Sequence, residues 1–426
     1  MSAINTEVDS AVRSLFTVKD YFVAEEGAAE YSVAYEARSA ENFLSLLGTL
    51  KALDYSAQLY GEAERATLVV VKNPPRPPQQ PSVRVSGQAF LFLLTLLSVI
   101  VTGYVLAVIY PSIAPGSSSL EMGVGFAASL MALFAARFLA QRLAAERGSF
   151  SAPSYYLPNV PLLIALPTTY FLPTFGSVSF PGTPPANKNR LFDFYLVGSI
   201  ALVVVALLVG LAGAGTSTAM TPAQVAALNS GNQTLTIQTN PSALQLGVIA
   251  LAQSAGIAKQ VPSSDTVIFS PVEIAAWLGF LLAFFNLLPA ALLDGGRMAR
   301  IVLGERGSRL TTIAAGLVLL LVDLPDYWIV FLLVFLMAAL PVQGETLDSI
   351  SGLSGSRKAV FVLVLLVGIL CIPVPQTFGT ISLYAITVSQ ARVTTLSFAP
   401  RPTDEKTFER ASPEPRAVLN FSLPSA

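Results

Sequence analysis

Hydrophobic residues follow two different patterns along this chain. Up to about residue 72 they come in short alternating runs. Phe16 to Val23 and Glu30 to Tyr35 alternate as strands do, and so do Tyr55 to Tyr60 and Ala66 to Val71 on either side of the polar turn Gly61-Glu62-Ala63-Glu64. Between them, Ser39 to Ala52 places Phe43, Leu44, Leu47 and Leu50 at helical spacing, with Ser39 as the expected N-cap. From residue 87 the alternation stops and long apolar runs begin. Seven of these are long enough, or nearly so, to cross roughly 30 Å of hydrocarbon: 87–110, 122–141, 191–213, 271–290, 309–323, 327–341 and 358–373. The fifth and sixth are joined by the polar hairpin Asp323-Leu324-Pro325-Asp326.

The expected fold is a polytopic α-helical membrane protein. It has about seven transmembrane helices, a small membrane-associated β-sheet and a small soluble α+β N-terminal domain. Its divisions are 1–72 (soluble domain), 73–86 (linker), 87–375 (transmembrane domain) and 376–426 (extracytoplasmic β or irregular tail). The linker carries Pro74, Pro75, Pro77, Pro78 and Pro81, a stiff spacer that would hold the soluble domain off the bilayer. Prolines also interrupt Pro153 to Pro185, where a continuous helix is excluded and a short sheet or re-entrant loop fits.

Composition supports this reading. Apolar residues make up 53% of the chain and charged ones 12%, more apolar content than one soluble core requires. A net charge of −1 without a basic cluster argues against nucleic acid as a partner. The single cysteine, Cys371, rules out an internal disulfide and a thiolate metal site. Residues 1–20 lack the apolar core of a cleavable signal peptide, so the first span is expected to target the chain. Basic residues flank alternate span ends: Arg76 and Arg84, Arg142 and Arg147, Lys188 and Arg190, Arg297 to Arg309, Arg357 and Lys358. Seven spans would put all of them on one side, giving a cytoplasmic amino terminus and an extracytoplasmic carboxyl terminus. The sequons at Asn232 and Asn420 would then both lie outside.

Candidate chemistry centres on Phe284-Phe285-Asn286-Leu287-Leu288-Pro289, four residues, then Asp294-Gly295-Gly296-Arg297. A carboxylate at membrane depth costs a few kcal/mol and normally has a partner. The pattern resembles the second motif of the site-2 proteases, zinc metalloproteases that cut within the membrane. The resemblance implies that Asp294 stands at the third zinc-ligand position, with Gly295 beside it and Asn286 and Pro289 in the substrate-facing turn. A second stretch supports it: Thr174-Phe175-Gly176, Pro184, Asn187, Lys188, Leu191, Phe192, Asp193 and Gly198 are similar to a run in the family branch that includes plant chloroplast members. In that branch the run forms a sheet to which a substrate strand is added. Here Pro173 replaces a Gly, and Gly198-Ser199 replaces Gly-Pro. Thr174, Phe175, Gly176 and Asn286 would line the groove.

The family's other two ligands are the imidazoles of a His-Glu-x-x-His helix, and this chain contains no histidine. Counting back from Gly148 places the lost motif at Ala136-Arg137-Phe138-Leu139-Ala140, and a shifted register gives Leu133 to Arg137. Neither offers a metal ligand, and Glu121, Glu146 and Glu273 provide no substitute site. Asp294 is then either a C-terminal cap or turn residue, or the ion-pair partner of Arg137, which could instead snorkel to the membrane surface. The expected function is a catalytically inactive homologue, with no cofactor, that binds or regulates membrane-protein partners: a transmembrane-segment substrate or an active paralogue. The alternative is an active intramembrane metalloprotease whose zinc ligands are atypical or supplied by a partner.

Overall fold

The computed structural model describes residues 5–23, 28–62, 64–73, 87–113, 118–158, 173–224, 234–236, 241–262, 265–290, 293–321, 346–373 and 387–389. The soluble domain is a two-layer α+β unit. Its four-stranded antiparallel sheet has the order β1-β2-β4-β3, built from β1 (Val18–Val23), β2 (Ala29–Val33), β3 (Tyr55–Glu62) and β4 (Arg65–Lys72). Alternation puts Ala29, Tyr31 and Val33 of β2 and Ala66, Leu68 and Val70 of β4 on one face. Val8 and Val12 of α1 (Thr6–Leu15) and Phe43, Leu46 and Leu50 of α2 (Ser39–Ala52) cover that face.

Two details differ from expectation. Helix α1 lies in a stretch to which the sequence pattern assigns no element, yet Asn5 caps it and Arg13 pairs with Asp9 one turn back at 2.8 Å. Ser39 is not the N-cap of α2. Arg38 holds that position without a side-chain bond, because the Ser39 hydroxyl is turned back to accept from Glu36 N at 2.7 Å.

The described residues that follow form α3 (Gly87–Ile113), α4 (Ser119–Gly148), α5 (Lys188–Thr216), α6 (Ala243–Ser254), α7 (Pro271–Leu287), α8 (Asp294–Leu321) and α9 (Gly355–Leu370). Among the described residues three are long and apolar enough to cross a membrane: α3 over Gly87–Val108, α4 and α5. The shorter apolar helices are α6 and α7. The chain is thus a multi-pass membrane protein, with three to five candidate spans among the described residues where the sequence pattern gives seven for the whole chain. The reason is visible in the elements themselves. The expected fourth span, 271–290, is cut to 17 residues when Leu288 turns extended ahead of Pro289. The expected fifth is the second half of α8, broken at Gly304 (φ 75°, ψ −175°). The sixth, the hairpin before it, Asn232 and Asn420 lie outside the described residues.

Helices α4, α5 and α7 pack on one another around a core that includes Leu133, Phe192, Leu202, Phe280 and Phe284. The expected sheet exists as an antiparallel pair, β5 (Ser154–Pro158) with β6 (Thr174–Ser179). It is anchored by Ser98 Oγ donating to Pro173 O at 2.8 Å and by Tyr156 packing edge-on to Phe92 and Phe134. Two short pairings complete the strands: β7 (Thr218–Met220) with β9 (Thr266–Ile268), and β8 (Thr234–Thr236) with β10 (Thr387–Ser389).

The α+β region also contacts the rest of the chain directly. Segment 346–351 runs between β3 and the approach to α5. Leu59 N donates to Leu347 O at 2.7 Å and Leu59 O accepts from Ser349 N at 3.0 Å, while Leu347 N and Asp348 N donate to Pro185 O and Ala186 O. Asp348 is fully buried and shapes this segment by accepting from Ile350 N, Ser351 N and the Ser351 hydroxyl.

Candidate functional site at the Asp294 turn

Asp294 is the first residue of α8, not a C-terminal cap or loop residue. An acidic side chain there is favoured by the unpaired amides and the dipole of the helix start. The Asp-Gly-Gly sequence has a packing purpose as well. A Cβ on Gly295 would lie 2.3 Å from Leu287 O and 2.6 Å from Leu288 O, so only glycine lets α8 begin against the end of α7.

Asp294 is 3% exposed and Arg137 2%. Arg137 Nη1 stands 2.7 Å from Asp294 Oδ2, and Nη2 donates to Ser177 O of β6 at 3.3 Å. Ser199 of α5 also donates to Asp294 Oδ2, at 3.1 Å. The pair therefore ties three elements to the start of α8. One turn further along α4, Gln141 is 1% exposed and its amide packs on Gly198, where a Cβ would lie 2.6 Å from Gln141 Cγ. Among the described residues the Gln141 amide and Arg137 Nε have no hydrogen-bond partner. One turn along α8, Arg297 Nη1 donates to the Tyr195 hydroxyl at 2.9 Å.

Of the three expected lost-motif positions, only Arg137 faces Asp294. Ala136 and Ala140 are half-buried on the flank of α4, because the inward face of that helix runs through Leu133, Arg137 and Gln141. The groove residues divide. Thr174 is buried, donates to Leu157 O at 2.8 Å and accepts from Gly176 N at 3.0 Å. Gly176 takes φ +95°, and a Cβ on it would lie 3.2 Å from Leu282 Cδ2, which seats β6 against α7. Phe175 belongs to β6. Asn286 is half-buried and donates to Leu282 O in its own helix at 2.7 Å, so its amide N–H is engaged within α7. Pro289 is half-buried in the α7–α8 turn. Sequence reasoning missed Ser199 and Gln141. The signal for Ser199 was the replacement of Gly-Pro by Gly-Ser, which supplies the hydroxyl that reaches Asp294.

Zinc does not fit these residues. The carboxylate that would ligate it is held by a guanidinium and a hydroxyl. Among the described residues no group of three His, Cys, Asp or Glu side chains could hold a metal ion. One carboxylate does not supply the three protein ligands of a catalytic zinc site.

Fold and site together define a polytopic membrane protein with a buried Arg137–Asp294 pair at the start of α8 and, among the described residues, no metal-ligand set. A family model, Peptidase family M50, matches residues 57–323, more than half of the chain, and the chain belongs to that family. Among curated proteins it is similar to "Probable zinc metalloprotease EGY2, chloroplastic" of Oryza sativa subsp. indica. The two are 33% identical over 114 residues, which is 26% of this chain and 20% of that protein. It is also similar to "Probable zinc metalloprotease EGY1, chloroplastic" of Oryza sativa subsp. japonica, 26% identical over 163 residues, 37% of this chain and 26% of that one. The chain thus spans about a fifth to a quarter of the length of these relatives. No solved structure matches.

Proposed function

We propose that this M50-family membrane protein is catalytically inactive and binds a membrane-protein partner. The observation that carries the reading is the Arg137–Asp294 pair, which places a fixed positive charge where the resemblance puts a metal ion. Arg137 and Gln141, one turn apart on the buried face of α4, stand in for the two imidazoles, one residue beyond the register counted from Gly148. The retained parts are those that recognise a chain and not those that cut it. Strand β6 has one strand neighbour, β5, among the described residues, and its second edge is suited to an added strand from a partner's unwound transmembrane segment. The resemblance assigns Thr174, Phe175, Gly176 and Asn286 to that groove. The partner is a transmembrane segment to be sequestered, or an active paralogue. With seven spans, the basic span ends would place the amino terminus in the cytoplasm and the carboxyl terminus outside it.

The test is elemental analysis of the detergent-purified protein, with a photo-crosslinking residue replacing Val178 and, as a control, Leu120 on the exposed face of α4. Expected results are no stoichiometric zinc and an adduct with a membrane protein from Val178 alone. Stoichiometric zinc that is lost in Asp294→Asn would restore the alternative, a protease with ligands completed by a partner. Equal adducts from both positions would remove the groove.

A further inference from the structure

The end of the bundle away from Asp294 holds a second buried acid. Glu273 is the third residue of α7, in Ser270-Pro271-Val272-Glu273, the sequence of a capping box. Half of the box forms, with Glu273 N donating to Ser270 Oγ at 3.1 Å. The other half does not: Ser270 N donates to Ser217 Oγ at 3.1 Å, and the Glu273 carboxylate turns away to α6. There Oε1 accepts from Gln245 Nε2 at 2.7 Å.

Glu273 and Gln245 are both 0% exposed, and among the described residues Glu273 Oε2 and Gln245 Oε1 have no hydrogen-bond partner. Two acceptor oxygens, on side chains bonded to each other and sealed from water, thus lack a positive group. A buried carboxylate without one carries a large desolvation cost.

Among the described residues, no side chain bonded to Glu273 or Gln245 brings a counter-charge. Helices α3 and α6 contain no charged residue, and α7 none besides Glu273. Lys188, Arg190 and Asp193 of α5 lie at the opposite end of that helix, roughly 30 Å away by helical rise. On α4, Gly125 touches Val272 and the nearest charge is the exposed Glu121. What the surroundings do supply is oxygen. Gly213, where a Cβ would lie 2.6 Å from Glu273 Oε2, leaves room for the carboxylate, and its carbonyl gathers the hydroxyls of Thr216, Ser217 and Ser270. Ser217 also lines a cavity of about 230 Å³ whose wall includes Gln253, Lys259 and Asp265. That cavity meets the hydroxyl cluster at Ser217, and neither Glu273 nor Gln245 is in its wall.

We propose that Glu273 and Gln245 bind one monovalent cation, held by Oε2 and Oε1. A single carboxylate neutralises one charge, and a divalent ion would leave buried positive charge uncompensated. The all-oxygen donor set suits a hard ion, either sodium or a proton. The proposal is independent of partner binding at Asp294.

It is tested by thermal unfolding of the full chain in nanodiscs, in sodium chloride and in choline chloride at equal ionic strength, at alkaline and at acid pH, for the wild type and Glu273→Gln. If the ion is sodium, the wild-type midpoint rises by a few degrees in alkaline sodium chloride, saturably, and not in choline chloride. If it is a proton, the midpoint rises on acidification in either salt. Either response, absent from Glu273→Gln, supports the site and names the ion. A wild type that tracks the variant in all four conditions overturns it. Should that variant fail to fold, Gln245→Leu replaces it in the same four conditions: loss of the wild-type response supports the site, and a response equal to the wild type's overturns the proposal.

Discussion

Arg137 and Asp294 are each expensive alone inside a membrane domain and tolerable together. Removing one leaves the other buried without compensation, so Arg137→Met or Asp294→Asn is expected to cost about 3–5 kcal/mol. The double variant is expected to lose far less than the sum. A double-mutant cycle by unfolding in detergent reads the coupling. The same site yields a gain-of-function prediction. Combining Arg137→His, Phe138→Glu and Gln141→His rebuilds two imidazoles and a general base one turn apart on the inward face. That variant is expected to acquire stoichiometric zinc, lost again on adding Asp294→Asn, whereas placing the same residues at 136, 137 and 140 is not. Elemental analysis distinguishes the registers. Neither register was settled by counting, because helical phase was not observable from a run in which nearly every residue is apolar. Arg137 itself stood out, since a guanidinium in such a run requires an explanation.

At the scale of elements, the α7–α8 turn rests on a contact between backbones. Gly295→Ala places a methyl against two carbonyls that belong to the end of α7, which cannot yield as a side chain would. The expected cost is about 1–3 kcal/mol or more, measured as a lowered unfolding midpoint. In the soluble domain, Tyr31 of β2 is fully buried in the sheet–helix core. Burial, with Asp9 beside the hydroxyl, pushes its phenol up from 10 to about 12. The neutral phenol is therefore favoured by folding. Its stabilising effect is complete below pH 10 and is lost as pH rises through about 12. Alkaline unfolding of the full chain is expected to begin above pH 10 and to be shallower in Tyr31→Phe, as followed by circular dichroism. The strands and α2 were legible from alternation and spacing. Helix α1 was not, since only Val8 and Val12 mark its buried face.

Over the whole molecule, segment 346–351 fastens the soluble domain to the start of α5, and Asp348 organises that segment. Asp348→Ala leaves the Ile350 and Ser351 amides without their acceptor, at about 1–3 kcal/mol. Amide exchange at Leu59 and Leu347 is expected to speed up while the strand amides of β2 and β4 stay protected.

Sequence by itself determined that this is a membrane protein with an appended α+β domain, since alternation and long apolar runs are local properties of the chain. It also determined that zinc lacks its imidazoles, because a missing residue type is absent in every fold. Only tertiary structure decided that Arg137, Ser199 and Asp294 meet, that Asp294 opens a helix, and that Glu273 leaves its capping box for Gln245. Those are contacts between segments 28 to 157 residues apart in the chain. No local pattern encodes them, and the packing of α4, α5, α6 and α7 sets them.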